Sequence, residues 1–330
     1  MGIREIAAAC GVSPSTVSRV LRGREPKCAS EAVKQRIWQA ARESGYRANQ
    51  AARQLRCAAE PAGARRIGFL LGRAEDMDSH DFTRVIGRAA MAEALRLGLA
   101  LAPAVSVVGD LRETARLQDA DGVIMIGRRP DAVMKQLHRL FPHFIYIGSN
   151  PVNEGLDQVI CSGYEAAEMA VSRMIYSGHV RIGYVGGQEM SQRYQAYRDT
   201  VHKHSLRINP HWVSRPEESA DATVRRLLAM GEPPTAVLCD SDPSALSFIA
   251  AYQKQASVKI MPEIISIEDT RLAAECRPML SAIHMPTEEM GALAAKLLLD
   301  RMNGGHREAV NVRFPCRYVE RESFQMRLPT

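Results

Sequence analysis

The chain has 330 residues, of which 46% are hydrophobic and 24% are charged, as is usual for a globular protein with more than one domain. It contains no run of about 18 apolar residues, so no membrane span is predicted, and its first residues lack the apolar core of a signal peptide. Seven cysteines, never closer than 18 positions, match neither a zinc motif nor a disulfide framework. We therefore expect a cytoplasmic protein with reduced thiols.

The net charge of +6 is distributed unevenly along the chain. Residues 1–66 contain 13 Lys and Arg against 5 Asp and Glu, whereas residues 67–330 contain 30 against 32. The positive surplus therefore lies in the first fifth, which is the pattern of a polyanion-binding head on a nearly neutral body. A basic solvated tail is the alternative, but apolar residues recur at helical spacing here and favour a folded head.

Three short helices are predicted in this basic region. Residues 3–9 place apolar side chains on one helical face, and Gly11 can then adopt a positive φ in a tight turn. Ser13 is predicted to cap a second helix, with Pro14 in its first turn, where the missing N–H is not needed. A third helix is predicted over residues 31–44. Two short helices joined by a glycine-containing turn form a helix-turn-helix.

Residues 3–56 resemble the DNA-binding head of the lactose/galactose repressor (LacI/GalR) family, through IREIAAACGVSPSTVSRVLRG and ESGYRANQAARQL. In that family the second helix enters the major groove, so the resemblance implies base contacts by Pro14, Ser15 and Arg19. The guanidinium of Arg19 fits guanine, whereas Pro14 has no donor and can offer only an apolar contact. Phosphate contacts are expected from three hydroxyl side chains, those of Ser13, Thr16 and Ser18.

The segment 49–56, which begins at Asn49, resembles the hinge helix of that family, which becomes ordered on operator DNA. The resemblance implies DNA contacts by Asn49 and insertion of Leu55 into the minor groove, where such a wedge kinks the duplex. Packing between two paired hinge helices is the alternative for Leu55. The expected organisation is a head over residues 1–47, a hinge helix and linker over 48–66, and a body over 67–330.

In the body, apolar runs typical of strands alternate with helical patterns. The predicted strands cover residues 67–71, 99–105, 122–126, 144–148, 181–187, 235–239 and 263–267. The predicted helices lie near residues 82–97, 131–140, 164–177, 193–204, 219–230, 243–255 and 286–303. This alternation predicts an α/β fold with parallel, doubly wound sheets, arranged as two Rossmann-like lobes with a ligand in the crevice between them.

The resemblance extends over the body through GHVRI, PPTAVLCDSDPSAL and LSAIHMPTEEMG. It implies a periplasmic-binding-protein-like body that dimerises, with lobe 1 at about 67–159 and 286–314 and lobe 2 at about 160–285 and 315–330. Three motifs depart from the family. Cys161-Ser162 replaces Asp-Asn, Ser241-Asp242 replaces Asn-Asp, and residues 266–269 replace a Gly-(Phe/Tyr)-Asp-Asp motif, so the effector's identity stays open.

Five residues are candidate effector contacts. By resemblance Arg193 is the effector-contacting arginine, because a buried guanidinium can bind a carboxylate, a phosphate or vicinal hydroxyls; a surface arginine on a helix is the alternative. Glu268 stands where a sugar-binding carboxylate is expected, although an acidic residue after a strand can also cap a helix. Ser241 and Asp242 are likewise either effector contacts or helix caps. Asp78, in the loop after the first strand, is the fifth candidate.

These features predict a transcriptional regulator, a repressor that binds a palindromic operator as a homodimer and responds to a sugar or a sugar acid. We expect it in the cytoplasm, associated with the nucleoid. One alternative is a ligand-independent architectural protein that uses its body only to dimerise. A periplasmic sugar-binding protein would need a signal peptide and would lack the basic head. No GxGxxG follows the first strand, and neither a phosphate loop nor a nucleophile elbow occurs, so we expect no catalytic residue, cofactor or metal.

Overall fold

The computed structural model describes residues 7, 9–13, 16–17, 20, 30–43, 65–72, 81–106, 111–153, 155–188, 191–255 and 261–326. The chain divides into two compact units, residues 1–63 and 64–330. Seven of the residues predicted to bind DNA or effector lie outside the described ranges: Pro14, Ser15, Ser18, Arg19, Asn49, Leu55 and Asp78. The predicted hinge helix lies outside them as well.

In the first unit, the described residues form the predicted turn and helix start. Gly11 has a φ of +65°, and the Ser13 hydroxyl oxygen accepts a hydrogen bond of 3.1 Å from the backbone N–H of Thr16. Helix α1 (Glu31–Glu43) confirms the third predicted helix. These elements share one small apolar core, formed by Ala7, Cys10, Val17, Val20 and Ile37.

The second unit confirms all seven predicted strands and all seven predicted helices of the body. The strands are β1 (Arg66–Leu71), β2 (Ala100–Ser106), β3 (Gly122–Ile126), β4 (Phe144–Gly148), β5 (Asp157–Cys161), β6 (Ile182–Val185), β7 (Ala236–Cys239), β8 (Glu263–Glu268), β9 (Ser281–His284), β10 (Asn311–Phe314) and β11 (Arg317–Val319). The helices are α2 (Asp81–Arg96), α3 (Asp131–Leu140), α4 (Gly163–Tyr176), α5 (Gln192–Lys203), α6 (Ala220–Leu228), α7 (Asp242–Gln253), α8 (Arg271–Glu275) and α9 (Thr287–Met302). Two 3-10 helices cover Leu111–Leu117 and Pro210–Trp212.

These strands form two sheets, one in each lobe. The sheet of lobe 1 has the order β10-β5-β4-β3-β1-β2 and is parallel throughout. The sheet of lobe 2 has the order β11-β9-β8-β7-β6 and is parallel except for β11, which is antiparallel to β9. Because parallel strands are joined by crossover helices, apolar strands lie buried beneath helices in both lobes.

The described strands show three passages of the chain between the lobes. The first runs from β5 into α4 and on to β6, the second from β9 through α9 to β10, and the third from β10 to β11. Helix α9 packs closely on α2 at Gly291, where a Cβ atom would lie 2.4 Å from the carbonyl oxygen of Ile86. Any larger residue at position 291 would push these two helices of lobe 1 apart.

Four strands were not predicted, namely β5, β9, β10 and β11. Strand β5 begins with the polar pair Asp157-Gln158, and β10 alternates between exposed and half-buried residues at the edge of its sheet. Neither pattern matches the continuous apolar runs on which the strand predictions rested. Strand β1 also begins at Arg66, one residue before the expected start of the body. None of the helices in the described ranges combines the length and the apolar character that a membrane span requires.

Candidate functional site

The candidate site lies at the carboxyl ends of the central strands of lobe 2. Strands β6, β7 and β8 are parallel neighbours and end at Val185, Cys239 and Glu268. In open α/β sheets, ligands bind beyond the carboxyl ends of the strands, where the following loops meet. Polar side chains that directly follow these strands, or that reach them from the start of α5, are therefore candidates for binding.

Arg193, in the first turn of α5, reaches across these strand ends. Ser191 caps this helix, since its hydroxyl oxygen accepts a hydrogen bond of 3.3 Å from the Tyr194 N–H. The Nη1 atom of Arg193 donates to Oε1 of Glu268 at 3.1 Å and also to the carbonyl oxygen of Asp240. The Arg193 and Glu268 side chains are only 14% and 10% exposed. The structure thus brings together two predicted site residues that are 75 positions apart.

Glu268 is held by a strained turn at the end of β8. Its φ is +116° and that of Asp269 is +57°, a region that side chains with a Cβ atom rarely adopt. Such strain persists where neighbours fix the backbone. Asp269 is fixed by a hydrogen bond of 3.0 Å with Nδ1 of His284 and by an ion pair of 2.6 Å with Arg321, and the carbonyl of Glu268 accepts from the Met285 N–H at 3.3 Å. The turn therefore sets the position of the Glu268 carboxyl group.

The two charges of this pair respond differently to burial. Burial raises the pKa of Glu268 to about 7, although the neighbouring Arg193 works in the opposite direction. Burial also works to lower the pKa of Arg193, but the carboxylates of Glu268 and Asp240 outweigh it and the pKa is raised. Arg193 is therefore always a cation, whereas Glu268 can gain or lose a proton near neutral pH.

Asp240 is a member of this cluster that was not predicted. Its carboxylate accepts hydrogen bonds from the Gly187 N–H at 2.9 Å and from the hydroxyls of Ser241 at 3.0 Å and Ser244 at 2.6 Å. It lies against Gly186, whose φ is +148° and where a Cβ atom would come within 2.1 Å of the Asp240 Cγ atom. The signal that could have identified it is its position, directly after the apolar strand β7.

Ser241 and Asp242, at the start of α7, have structural contacts. Ser241 is the N-cap of α7, accepting from the Ser244 N–H at 3.4 Å. Asp242 is fully buried and accepts from the Ser266 hydroxyl at 2.5 Å and from the N–H and hydroxyl of Thr270 at 2.6 and 2.8 Å. These bonds tie α7 to β8 and to the turn after it. These contacts favour the structural alternative for Asp242, and its effector contact stays a prediction.

Polar side chains from both lobes line an open cavity next to the start of α5. The cavity has a volume of about 460 Å³, and its lining residues are Arg128, Gln188, Ser191, Gln192, Tyr194, Gln195 and Arg198. Arg128 follows β3 of lobe 1 and forms an ion pair of 2.8 Å with Asp131, while the other residues belong to lobe 2. This cavity, to which both lobes contribute, is therefore polar and carries two arginines, Arg128 and Arg198.

The head contributes two described candidates, Ser13 and Thr16. Their hydroxyl oxygens are 2.9 Å apart at the start of the second helix, where Ser13 is exposed and Thr16 is half-buried. This end of a helix presents backbone N–H groups that suit a phosphate. Within the described ranges, no group of three or more His, Cys, Asp or Glu residues is arranged to hold a metal ion.

Comparisons with known proteins agree on both units. Residues 2–49 match the model for bacterial regulatory proteins of the lacI family, and residues 171–324 match that for a periplasmic binding protein-like domain. The chain is 26% identical to the HTH-type transcriptional repressor PurR of Aliivibrio salmonicida over 324 residues, covering 93% of both proteins. It is 27% identical to the repressor CytR of Escherichia coli K12 over 342 residues, covering 97% of this chain and 95% of CytR.

Solved structures show the same fold. The transcriptional regulator CelR in complex with cellobiose superposes with a TM-score of 0.67 at 23% identity, covering 98% of this chain and all of CelR. The lac repressor dimer bound to operator and the anti-inducer ONPF superposes with a TM-score of 0.68 at 19% identity, covering 98% of each chain.

Proposed function

Since the chain belongs to the LacI/GalR family of bacterial transcriptional regulators, we propose that it represses transcription by binding a palindromic operator as a homodimer. A sugar or a sugar acid held between the two lobes sets its affinity for that operator. The observation that carries the effector part is the Arg193–Glu268 pair, at the strand ends beside a polar cavity.

The DNA-binding part of the proposal rests on the head. Its positive charge supplies affinity for phosphate, and the Gly11 turn and Ser13 cap are those of a helix-turn-helix. In this proposal Arg19 reads guanine, Ser15 reads a base edge and Pro14 makes an apolar contact, while Ser13, Thr16 and Ser18 contact phosphates. Asn49 and Leu55 act in the minor groove. Two-fold symmetry then requires half-sites about one helical turn apart.

The effector part rests on the chemistry of the pair. Arg193 has five N–H donors, of which a ligand can use those not bound to protein, and the Glu268 carboxyl can accept from a ligand hydroxyl. Vicinal hydroxyls of a sugar fit both groups, whereas the carboxylate of a sugar acid would compete with Glu268 for Arg193. Ser241 and the loop containing Asp78 stay proposed contacts. Ligand binding changes the closure of the lobes, and linkage then couples effector affinity to operator affinity.

In this proposal the protein acts in the cytoplasm at the nucleoid and catalyses no reaction. Its function is binding at two sites, and the relatives that match most of its length are transcriptional regulators.

The DNA-binding part is tested by selecting operators from random DNA with the purified full chain. We expect a palindromic consensus, and Arg19→Ala should lower the affinity by about 10- to 100-fold and relax the preference at one base pair of each half-site. Arg36→Ala is the matched control, since it removes the same charge from an exposed position on α1. Its operator affinity should fall by less than that of Arg19→Ala, and the preferred sequence should stay unchanged. An unchanged footprint and consensus for Arg19→Ala would exclude the proposed base contact.

The effector part is tested by calorimetry with cellobiose, ribose, cellobionate and ribonate. We expect at least one of them to bind and to change operator affinity, and Arg193→Ala to weaken that binding about 10- to 100-fold while operator affinity without ligand is retained. Arg207→Ala, an exposed arginine after α5, is the control and should bind like the unmodified protein. If none of the four ligands binds, the result would favour the ligand-independent architectural alternative.

A further inference from the structure

Two cysteines face each other where the chain passes between the lobes. The Sγ atoms of Cys161 and Cys316 are 3.4 Å apart, although the residues are 155 positions apart. Cys161 is the last residue of β5, directly before the first passage into lobe 2, and Cys316 lies between β10 and β11, in the third passage. A disulfide bond is about 2.0 Å long, so the two sulfur atoms need to approach each other by little more than 1 Å, which rotation of the side chains can provide.

The two thiols differ in access and in acidity. Cys161 is fully buried, whereas Cys316 is partly exposed and lines an open surface cavity of about 400 Å³ together with Glu165, Glu168, Met169 and Pro315. The hydrogen bond from Cys161 lowers the pKa of the Cys316 thiol, while the same bond and burial raise the pKa of Cys161. The accessible sulfur is thus the better thiolate, which is the form that reacts with oxidants.

We propose that Cys161 and Cys316 form a peroxide-sensitive dithiol whose oxidation cross-links two of the segments that connect the lobes. The Cys316 thiolate attacks one oxygen of hydrogen peroxide, the O–O bond breaks, and a sulfenic acid forms with release of hydroxide. The Cys161 thiol then attacks the sulfenic sulfur, the S–O bond breaks, and the disulfide forms with release of water. Two thiols lose two electrons in total, and the hydroxide takes up the proton that Cys316 had lost, so peroxide becomes two waters.

The cross-link joins two of the segments through which the chain passes between the lobes. A covalent bond between the first and third passages fixes their separation, so closure and opening of the lobes become restricted. Cys276 offers a contrast, because its Sγ atom contacts the carbonyl oxygens of Ala273 and Pro278 at 3.4 and 3.1 Å. Cys276 is half-buried in lobe 2 and therefore serves as a matched control thiol.

The experiment treats the reduced full chain with hydrogen peroxide, blocks the remaining thiols and maps tryptic peptides without reduction. We expect peptide 140–173, which contains Cys161, to be linked to peptide 314–317, which contains Cys316, with a loss of two hydrogens. Cys276→Ser should give the same link, and Cys161→Ser should leave a sulfenic acid on Cys316 that dimedone captures. A wild-type map in which Cys316 reaches the sulfinic acid without a link, or is linked to another cysteine, would overturn the proposal.

Thermal unfolding provides a second readout that needs neither DNA nor a sugar, so its outcome is independent of the proposed function. A cross-link that encloses a long loop restricts the unfolded chain and should raise the melting temperature of the oxidised protein by several degrees. Dithiothreitol should reverse this shift, and Cys161→Ser and Cys316→Ser should not show it. Oxidised and reduced wild-type protein with equal melting temperatures would contradict a constraint on the lobes.

Discussion

Two buried pairs of a carboxylate and an arginine, one in each lobe, show opposite behaviour. In lobe 1, Asp157 is fully buried and accepts hydrogen bonds from two guanidinium nitrogens of Arg301, one of them at 2.6 Å, from His306 at 2.9 Å and from the Val310 N–H at 2.8 Å. In lobe 2, the carboxyl group of Glu268 accepts one hydrogen bond from the described residues, from Arg193 at 3.1 Å. The partners are of the same kind, but the number of donors differs.

The pKa values follow this number of donors. Burial works to raise the pKa of Asp157, but Arg301, Val310 and His306 outweigh it and the pKa is lowered. For Glu268 burial prevails, and the pKa rises to about 7. A carboxylate whose lone pairs are filled by protein donors stabilises the fold, whereas one left with few donors retains the capacity to bind a ligand. The difference assigns a structural role to the first pair and supports a binding role for the second.

The largest effect is expected for Asp157→Asn, which would break the structural pair. Removing the anion leaves the charge of Arg301 uncompensated and replaces one of the two acceptor oxygens by an NH2 donor, so the free energy of unfolding at pH 7 should fall by about 3–5 kcal/mol in urea denaturation. Asp300→Asn is the control, because Asp300 also pairs with His306 but is 55% exposed, and its replacement should cost less than about 1 kcal/mol. Similar losses for the two variants would contradict the role given to Asp157.

The next effect concerns pH and Glu268→Gln. The pKa of Glu268 is about 7 in the folded protein, above the ordinary value of 4.5. Its contribution to stability is thus fully present below pH 4.5 and is lost as the pH rises through 7, by at most about 3 kcal/mol. Glutamine has no such loss, so the stability of the variant relative to wild type should increase between pH 5 and pH 8 in urea denaturation. For Glu113→Gln, at an exposed ion pair, the plot of unfolding free energy against pH should stay parallel to that of wild type. A parallel Glu268→Gln curve would mean that the carboxyl group is not protonated near neutral pH.

The smallest effect tests whether the pKa also follows the number of hydrogen-bond donors in a third pair, Glu218 with Arg226. Hydrogen bonds from Arg226, at 3.0 and 2.6 Å, lower the pKa of Glu218 to about 2, against the opposing effect of burial. Its contribution is therefore present above pH 4.5 and is lost as the pH falls towards 2. We expect Glu218→Gln to cost about 2 kcal/mol at pH 7, with the difference from wild type shrinking in acid. Glu275→Gln, at an exposed pair with Arg271, should show no such change with pH, and a constant difference for Glu218→Gln would contradict this dependence on donors.

Features that depend on a few neighbouring residues could be predicted from the amino-acid sequence alone. The turn at Gly11 and the cap at Ser13 follow from glycine's tolerance of positive φ and from a serine hydroxyl three residues before an N–H. Six of the seven predicted strands are apolar runs that are buried on both faces of their sheets, so their composition alone indicates them, whereas β2 lies at a sheet edge with Pro103 and Ala104 exposed. Strand β5 was not predicted because Asp157 and Gln158 are polar. The side chain of Gln158 is buried in the fold through hydrogen bonds with the backbone N–H and carbonyl of Val152.

The partners of the polar residues, in contrast, follow from the packing of distant segments and could not be predicted. Arg193 and Glu268, Asp157 and Arg301, and Cys161 and Cys316 are separated by 75, 144 and 155 positions, respectively. The sequence shows the type of each residue but not its partner. The partner decides whether protein donors occupy a carboxylate or leave it able to bind a ligand, and whether a thiol has a second thiol beside it. Asp242 demonstrates this, because its hydrogen bonds with Ser266 and Thr270, residues that the sequence does not indicate as its partners, favour the structural alternative over the effector contact. The packing of distant segments, and the burial it imposes, therefore determined the chemistry of this site.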